Sequence, residues 1–340
     1  MQKPGDSPDT QRPGTDPPTT GPLQFDRAVA TNGYAWWYVD ALSDDGQHGL
    51  TIIIMIGSVF SPYYARQRRR GNGHPENHSA INVALYGRGG KRWALTERDA
   101  NAVERRADRL AIGPSHVTWN GRWLDIAIDE VTVPVPRRLR GNIRVHPTVI
   151  NPLDFELDRT TGHVWWPIAP RSRVEVDMRS PALRWRGDGY LDANWGPEPL
   201  EARFERWDWS RGMLADGRCA VLYNRTERSH DSESLALLFD PLGNVETFDA
   251  PGNQRLPDTP IWRIPRGTQA EEGFRPTVDK TLEDTPFYAR SIINTRLLGE
   301  PLTAIHESLS LDRFDSRWVQ TLLPFRMPRV RSRGSRAASD

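Results

Sequence analysis

Short apolar segments, each bounded by turn residues, recur along the whole chain and predict β-strands. The clearest of them cover residues 34–42, 50–60, 80–86, 117–129, 173–178 and 218–223. The run at 50–60 is rich in β-branched residues, which predicts a strand buried on both faces, and it is too short to cross a bilayer as a helix. Asn120-Gly121 interrupts the segment 117–129 and is typical of a hairpin turn.

Only one helix is predicted, over the short and highly charged segment 99–109 (DANAVERRADR). Many short strands at hairpin spacing indicate an all-β fold, either a sandwich or a barrel. The length of 340 residues favours two such domains over one. We therefore predict β domains over residues 25–200 and 201–325, because a new series of strands begins near residue 200.

The two ends of the chain differ in composition from its middle. Residues 1–24 are dominated by Pro, Gly, Thr and Asp, and residues 326–340 are rich in Arg. We predict a disordered tail at each end, the second of them basic. A second basic cluster contains Arg66, Arg68, Arg69 and Arg70. Both basic segments are interpreted either as solvated charge or as a contact for an anionic membrane surface.

Net charge and cysteine content restrict the class of binding partner and the cellular compartment that we expect. The 45 basic and 44 acidic residues give a net charge of +1, so no global field selects nucleic acid. The single cysteine, Cys219, excludes an intramolecular disulfide and a cysteine-rich zinc site, and it indicates a reducing compartment. No apolar signal segment is recognised at the start of the chain. The expected location is the cytoplasm, with peripheral association with a membrane as an open alternative.

Several cofactor-dependent and nucleophilic enzyme classes are not indicated. The sequence has no Gly-rich dinucleotide fingerprint after a strand, no phosphate loop and no Gly-x-Ser-x-Gly nucleophile elbow. His74 and His78 have a spacing that could bind a metal on a helix, but Pro75 and the preceding glycine-rich residues predict a loop. We therefore expect neither a metal nor a cofactor.

Two pairs of residues combine a proton-carrying side chain with an aromatic ring. His163 lies two residues before Trp165, and Tyr190 lies two residues before Asp192. On a β-strand such residues point to the same face. A carboxyl group packed against aromatic rings is desolvated, which raises its pKa and suits a general acid. The alternatives are a structural histidine at His163 and an aspartate that caps a turn at Asp192.

Longer strings of residues resemble the carotenoid 1,2-hydratases, the acyclic carotenoid hydratases of pigmented bacteria. The resemblance covers roughly residues 25 to 325. It rests on GYAWWYVDA from Gly33, GSVFSPYY from Gly57, PENH from Pro75, INVALY from Ile81, GYLDANWGPEPLE from Gly189 and WDWSR from Trp207.

This resemblance implies a fold of two packed lipocalin-like β domains and a cofactor-independent hydro-lyase. Such an enzyme adds water across the terminal C1=C2 double bond of an acyclic carotene such as neurosporene or lycopene. It also implies that His163, Trp165, Tyr190 and Asp192 are the acid/base and aromatic positions of the site.

We accordingly hypothesise that protonated Asp192 donates a proton to C2 and that Tyr190 tunes or relays it. Trp165 would offer its π face to the cation at C1, and neutral His163 would orient the attacking water and accept its proton. The substrate has no polar group at its reacting end, so it must be bound through apolar area. Groove walls are assigned to Trp36, Trp37, Tyr38 and Trp195, each of which could equally be core.

Three other functions remain open from the sequence. One is a non-catalytic carotenoid or lipid carrier with a lipocalin-like fold. Another is an isomerase or cyclase of the same superfamily, which would act on a polyene without adding water. The third is an all-β carbohydrate-active domain, suggested by the 13 Trp residues, although no second carboxylate of the required pair is evident.

Overall fold

Antiparallel β-strands form most of the structure, which confirms the predicted all-β fold class. The computed structural model describes residues 23–88, 90–158 and 160–331. Most of the two predicted tails, residues 1–22 and 332–340, lies outside these described ranges. The described strands form two large sheets and two small two-stranded ones.

The first large sheet is built from the strands that precede residue 197. The strands of this region are β1 (Tyr34–Ser43), β2 (His48–Ile56), β3 (Ala80–Gly87), β4 (Arg92–Leu95), β5 (Glu97–Arg98), β6 (Val103–Arg106), β7 (Arg109–Ile112), β8 (Ser115–Trp119), β9 (Leu124–Val131), β10 (Arg138–Pro147), β11 (Phe155–Glu156), β12 (Val164–Ser180) and β13 (Ala182–Gly196). All except β5 join one twelve-stranded sheet in the order β4-β3-β2-β1-β13-β12-β10-β9-β8-β7-β6, with β11 paired to β12.

The second large sheet follows in the chain. Its region contains β14 (Phe204–Met213), β15 (Cys219–Glu227), β16 (Ser232–Phe239), β17 (Val245–Thr247), β18 (Asn253–Leu256), β19 (Arg266–Gln269), β20 (Thr277–Asp284), β21 (Tyr288–Leu297), β22 (Glu300–Ser310) and β23 (Arg329–Val330). Seven of these strands form the order β17-β16-β15-β14-β22-β21-β20. Of the others, β18 pairs with β19, and β23 returns to the first region to pair in parallel with β5.

Helices are short and lie between or after the strands. They are α1 (Pro62–Arg68), α2 (Leu200–Arg203), α3 (Leu311–Asp315) and α4 (Arg317–Leu322), with 3₁₀ turns at Pro75–His78, Ala100–Ala102 and Leu323–Phe325. The start of α1 is fixed by Ser61, whose side chain accepts a hydrogen bond from the Tyr64 backbone N–H, and by Pro62 in the first turn. In the described part of the chain, no helix has both the length and the apolar character needed to span a bilayer.

The side chains of the first sheet alternate between its two faces, and each face contributes to a different hydrophobic core. Neighbours on a strand point to opposite faces, so Trp36 and Trp37 belong to different cores. Trp37 packs within the curled first sheet together with Val39, Ile52, Ile54 and Ile126. The opposite face packs against the second sheet through the aromatic residues Tyr34, Trp36, Tyr38, Trp165, Tyr190, Trp207, Trp209 and Tyr223.

The two sheets change over at the expected place in the chain. The first ends at Gly196 and the second begins at Phe204, with α2 between them. Both sheets nevertheless contribute to the core that lies between them. The division into domains 25–200 and 201–325 therefore stays a prediction, whereas the change of sheet near residue 200 is a structural fact.

Two expectations from the sequence are wrong in detail. Residues 99–109 form a 3₁₀ turn and part of a hairpin, in which Arg106 pairs with Arg109 around Ala107-Asp108. Pairing with neighbouring strands here overrides a weak helical propensity. The C-terminal tail begins later than residue 326, because Met327 is buried and β23 extends the chain along β5.

Candidate active site

Asp192 lies between the two sheets with its carboxyl group removed from solvent. The residue is 5 % exposed. Its Oδ2 accepts a hydrogen bond of 2.9 Å from the Tyr190 hydroxyl and another of 2.9 Å from the Trp165 indole N–H. Its Oδ1 is buried and has no hydrogen-bond partner among the described residues. One oxygen is therefore doubly engaged and the other is free.

Strand geometry explains how these three side chains meet. Tyr190 and Asp192 are two residues apart on β13, so they share the face that points towards the second sheet. Trp165 on β12 pairs with Asn194 of β13, and side chains opposite each other in antiparallel strands lie on the same face. The same-face relationship expected for Tyr190 and Asp192 is what the structure contains.

Burial sets the protonation state of Asp192. Desolvation raises the pKa of this carboxyl group to about 8, although the hydrogen bonds from Trp165 and Tyr190 lower it and the nearby Glu307 and Asp40 raise it further. The group is thus an uncharged carboxylic acid at neutral pH.

The hydrogen bonds also indicate which oxygen carries the proton. Trp165 N–H is a donor only, and the Tyr190 hydroxyl donates to the same oxygen. Because Oδ2 accepts both hydrogen bonds, it is the carbonyl oxygen, and the acidic proton belongs on Oδ1. The free oxygen is therefore the one with a proton to donate.

His163 lies at the other end of the same face. It precedes β12, its backbone N–H donates to Asp158 Oδ2 at 2.9 Å, and its Nδ1 is 2.9 Å from the Tyr34 hydroxyl. Desolvation lowers the pKa of His163 to about 4. Its ring packs against Gly196, which is four residues from Asp192, about 13 Å along β13. The structure therefore places His163 and Asp192 on one face but not in contact.

A cavity of about 400 Å³ opens between the two sheets beside this cluster. On the first sheet its walls come from β1 to β4, including Trp36, Tyr38, Met55 and Trp93. The remaining walls were not foreseen from the sequence. They come from the second sheet and the C-terminal helices, and include Glu283, Tyr288, Arg290, Glu307, Leu323, Phe325 and Met327.

The four aromatic residues predicted as groove walls separate into two pairs. Trp36 and Tyr38 line the cavity. Trp37 and Trp195 do not, because each is one residue out of phase with the lining positions and points to the other face. The Trp37 indole donates to the Leu23 carbonyl at 2.8 Å, and the Arg27 guanidinium lies 3.6 Å from the centre of the Trp195 ring.

A network of charged and hydroxyl groups crosses this largely apolar cavity. The Tyr38 hydroxyl donates to Glu307 Oε1 at 2.7 Å, and Arg290 donates to the same oxygen from Nε at 2.9 Å and from Nη2 at 2.6 Å. Arg290 Nη1 also donates to the Tyr86 hydroxyl at 2.9 Å. The alternation of β21 and β22 places Arg290 and Glu307 on the cavity face, but sequence periodicity does not reveal which sheet they oppose.

Of the two histidines with metal-like spacing, His78 has a structural purpose. His78 is fully buried, and its Nδ1 lies 2.8 Å from Glu97 Oε1 and 2.8 Å from Arg329 Nη1. His74 precedes the same 3₁₀ turn. Within the described ranges, no group of three or more His, Cys, Asp and Glu side chains is arranged to hold a metal ion. His78 therefore helps to attach the C-terminal segment to the first sheet.

A family model and two similar sequences agree on one protein family. Residues 52–336 match the family model for the carotenoid hydratase CrtC. The chain is 59% identical over 318 residues to an acyclic carotenoid 1,2-hydratase of Thiocapsa roseopersicina, which covers 94% of this chain and 78% of the relative. It is 48% identical over 311 residues to an acyclic carotenoid 1,2-hydratase of Rubrivivax gelatinosus, covering 91% and 76%.

The fold also has solved counterparts. A crystal structure of a protein described as AttH, from Nitrosomonas europaea, superposes with a TM-score of 0.58 and 15% sequence identity, covering 88% of this chain and 98% of that one. At this identity the similarity concerns the fold alone, and it agrees with the paired lipocalin-like architecture expected from the sequence.

Proposed function

The chain belongs to the carotenoid hydratase family CrtC, and on this premise we propose that it adds water to the terminal C1=C2 double bond of an acyclic carotene. The observation that carries the proposal is Asp192, a buried carboxylic acid whose free Oδ1 bears the proton. An unactivated alkene reacts with water only after it is protonated, and such an acid is the group that this first step requires.

The reaction proceeds in three steps that together consume one water. Asp192 Oδ1–H gives its proton to C2, and a tertiary cation forms at C1. Water attacks C1, and its excess proton leaves to a base, which gives a tertiary alcohol. Asp192 is then protonated again, so neither a metal nor an organic cofactor takes part.

Trp165 and Tyr190 support the first step. Their hydrogen bonds hold the carboxyl group with Oδ1 free, and they stabilise the carboxylate that remains after proton transfer. The Trp165 ring is fully buried next to the acid. A cation beside an aromatic face gains about 0.5–2 kcal/mol, with the larger value in a desolvated site.

For His163 we propose a positioning role. Its hydrogen bonds to Tyr34 and Asp158 fix the beginning of β12, and Trp165 reaches Asp192 from two residues further along that strand. The water-activating role expected from the sequence requires contact with a water molecule at C1. Its position about 13 Å along the strand from Asp192 is unfavourable for that, and this role stays a prediction.

The substrate reaches the acid through the cavity. Tyr38 lines the cavity and is paired with Asp192 across β1 and β13, whereas Asp192 is not among the residues that line it. We propose that the Tyr38 ring moves aside as the apolar end of the carotene enters. Burial of that end stabilises the complex by about 25 cal/mol per Å².

Product analysis tests the proposed function. Purified protein incubated with lycopene, without added cofactor, is expected to give products heavier by one water, and Asp192→Asn is expected to give none while remaining folded. A carrier would return the carotene unchanged, and a cyclase or isomerase would return a product of unchanged mass. Wild-type conversion by Asp192→Asn contradicts the assignment of the proton donor, and a loss of activity after dialysis contradicts cofactor independence.

We also propose that the cavity mouth rests on a membrane. Exposed apolar side chains lie at or next to this cavity. Phe325, which is 75% exposed, and the exposed Leu322 line it, and the exposed Ile261 and Trp318 lie next to Trp262, which also lines it. Arg317 and Arg331 are exposed in the same C-terminal region. Apolar rings flanked by arginines suit an anionic lipid surface, from which an apolar substrate can enter directly.

Liposome co-sedimentation tests this contact. Phe325→Glu is expected to weaken binding to vesicles that contain phosphatidylglycerol. Leu242→Glu is the matched control, because Leu242 is 80% exposed but lies in the turn between β16 and β17, away from the cavity. Equal binding of the wild type and Phe325→Glu contradicts the proposed face.

A further inference from the structure

Among the described carboxylates that line the cavity, Glu307 differs from the others in having one oxygen that accepts no hydrogen bond. Glu283 accepts hydrogen bonds on both oxygens, from the Tyr86 hydroxyl and Lys91 Nζ, and both oxygens of Asp284 accept from backbone N–H groups. Glu307 Oε1 accepts from Arg290 and Tyr38. Its Oε2 accepts no hydrogen bond from any described residue, although Glu307 lines the cavity.

A second polar atom of the same cluster is also free. The Tyr288 hydroxyl is buried and has no hydrogen-bond partner in the described ranges. Tyr288 lies two residues before Arg290 on β21, and the Arg290 guanidinium is 5.5 Å from the centre of its ring. A buried water molecule needs two or more polar partners. Glu307 Oε2 and the Tyr288 hydroxyl can supply them at the cavity wall.

This cluster adjoins the acid, with Tyr38 between them. Tyr38 is paired with Asp192 across the strands and donates its hydroxyl hydrogen bond to Glu307. Glu307 is close enough for its charge to raise the pKa of Asp192. A substrate end that displaces the Tyr38 ring would therefore have the acid on one side and Glu307 on the other.

Building on the proposed hydration, we propose that Glu307 binds the attacking water and accepts its proton. After Asp192 has protonated C2, the water oxygen forms a bond to C1 while one of its O–H bonds breaks, and that proton moves to Glu307 Oε2. The carbocation is thereby converted to a tertiary alcohol, with no net change of oxidation state. The proton on Glu307 then returns through solvent to the Asp192 carboxylate, which restores both groups.

The Asp40 carboxylate, the other carboxylate that contacts the Tyr38 hydroxyl, is not suited to this role. Both of its oxygens accept hydrogen bonds from Arg211, and Oδ2 also accepts from Tyr38 at 3.1 Å. It has no oxygen left for a water molecule and does not line the cavity. Among the cavity carboxylates of the described chain, Glu307 combines a free oxygen with proximity to the acid.

Deuterium labelling separates this second step from the first. In D2O, Glu307→Gln is expected to protonate C2 but to capture water poorly, so the cation returns a proton or deuteron and unreacted carotene gains deuterium. Hydration is expected to fall at least about 100-fold, the lower range for loss of a general base. Asp192→Asn should lose both hydration and deuterium uptake, and Tyr288→Phe should reduce hydration while retaining uptake.

The control is Glu130→Gln, which removes a buried carboxylate paired with Arg98 at 2.8 Å outside the cavity. It should hydrate like the wild type. The proposal is overturned if folded Glu307→Gln hydrates within about threefold of wild type, or if it loses deuterium uptake together with hydration. If the wild-type protein shows neither hydration nor uptake, the proposed function fails instead, so the two failures are distinguishable.

Discussion

Tyr38 on β1 and Asp192 on β13 are register partners, so a ring that lines the cavity stands beside a carboxyl group that does not line it. The Tyr38 hydroxyl is held by Glu307 at 2.7 Å and by Asp40 at 3.1 Å. Each of these carboxylates is in turn paired with an arginine, Arg290 or Arg211. Charged groups thus hold the hydroxyl of the ring that the substrate is proposed to displace.

Tyr38→Phe should make this wall less stable. The change removes one hydroxyl that two carboxylates share, and a hydrogen bond to a charged group contributes about 1.5–3 kcal/mol. We expect the free energy of unfolding in urea to fall by about that amount. Tyr63→Phe, on helix α1, is the comparison, and an equal effect of the two changes would contradict the argument.

The rate of hydration should fall as the pH rises through about 8. The proton donor must be protonated, and burial raises the pKa of Asp192 to about 8. At higher pH the carboxylate predominates and cannot protonate the alkene. The measurement is kcat/KM against pH, and a profile that stays flat to pH 10 would argue against Asp192 as the acid.

The same carboxyl group should make stability depend on pH. The folded protein binds the Asp192 proton more tightly than the unfolded chain does, so this contribution is fully present below about pH 4 and is lost as the pH rises through about 8. Relative to Asp192→Asn, the wild type should lose up to about 1.4 kcal/mol per pH unit across that window. A difference in unfolding free energy that does not vary between pH 4 and 8 would disprove this.

Trp165→Phe removes the indole N–H but keeps an aromatic ring, so it should show the effect of the hydrogen bond alone. The N–H hydrogen bond lowers the pKa of Asp192, so its removal should shift the alkaline limb of the rate profile to higher pH. Trp165→Leu also removes the aromatic face and should raise the free energy of the carbocation by a further ~0.5–2 kcal/mol. If the two variants have equal rates and the same decline in rate at alkaline pH, the aromatic ring plays no part.

Gly196→Ala should disturb the site without changing any polar group. A methyl group at this position would collide with the His163 ring and lie 2.9 Å from the Tyr34 ring. Such overpacking costs about 1–3 kcal/mol and should displace the beginning of β12. Gly252→Ala is the control, because its added methyl group meets nothing within 4 Å. If Gly196→Ala matches the control in stability and rate, the positioning role of His163 is wrong.

Strand periodicity was sufficient to predict the fold class and the shared face of two residues of the candidate site. Residues two apart share a face, and this relationship places Tyr190 beside Asp192 and separates Trp36 from Trp37. Trp37 and Trp195 were assigned to the groove walls but do not line the cavity, because the sequence does not show which of two neighbouring positions on a strand faces the partner sheet. Burial of the acid among aromatic rings, and the direction of its pKa, follow from residue types alone.

The cavity residues of the second sheet could not be predicted in this way. Arg290 and Glu307 are more than ninety residues from Asp192 in the chain, and only the packing of one sheet on the other brings them together. The helix predicted over 99–109 is wrong for a different reason, since pairing of β6 with the adjacent strand β7 decided the local structure. The pairing of His163 with Trp165 left open whether His163 shares the face of the acid and how far along the strand it lies.

The cavity and the acid have separate structural origins. Asp192, Tyr190 and Trp165 come from strands of the first sheet, whereas much of the cavity lining comes from β20 to β22 and the C-terminal helices. Substitutions in the second half of the chain can therefore alter the shape, length or polarity of the polyene that fits, while the acid and its hydrogen bonds remain as they are. The fold thus allows substrate preference to diversify among relatives, or to be engineered, without rebuilding the proton-transfer machinery.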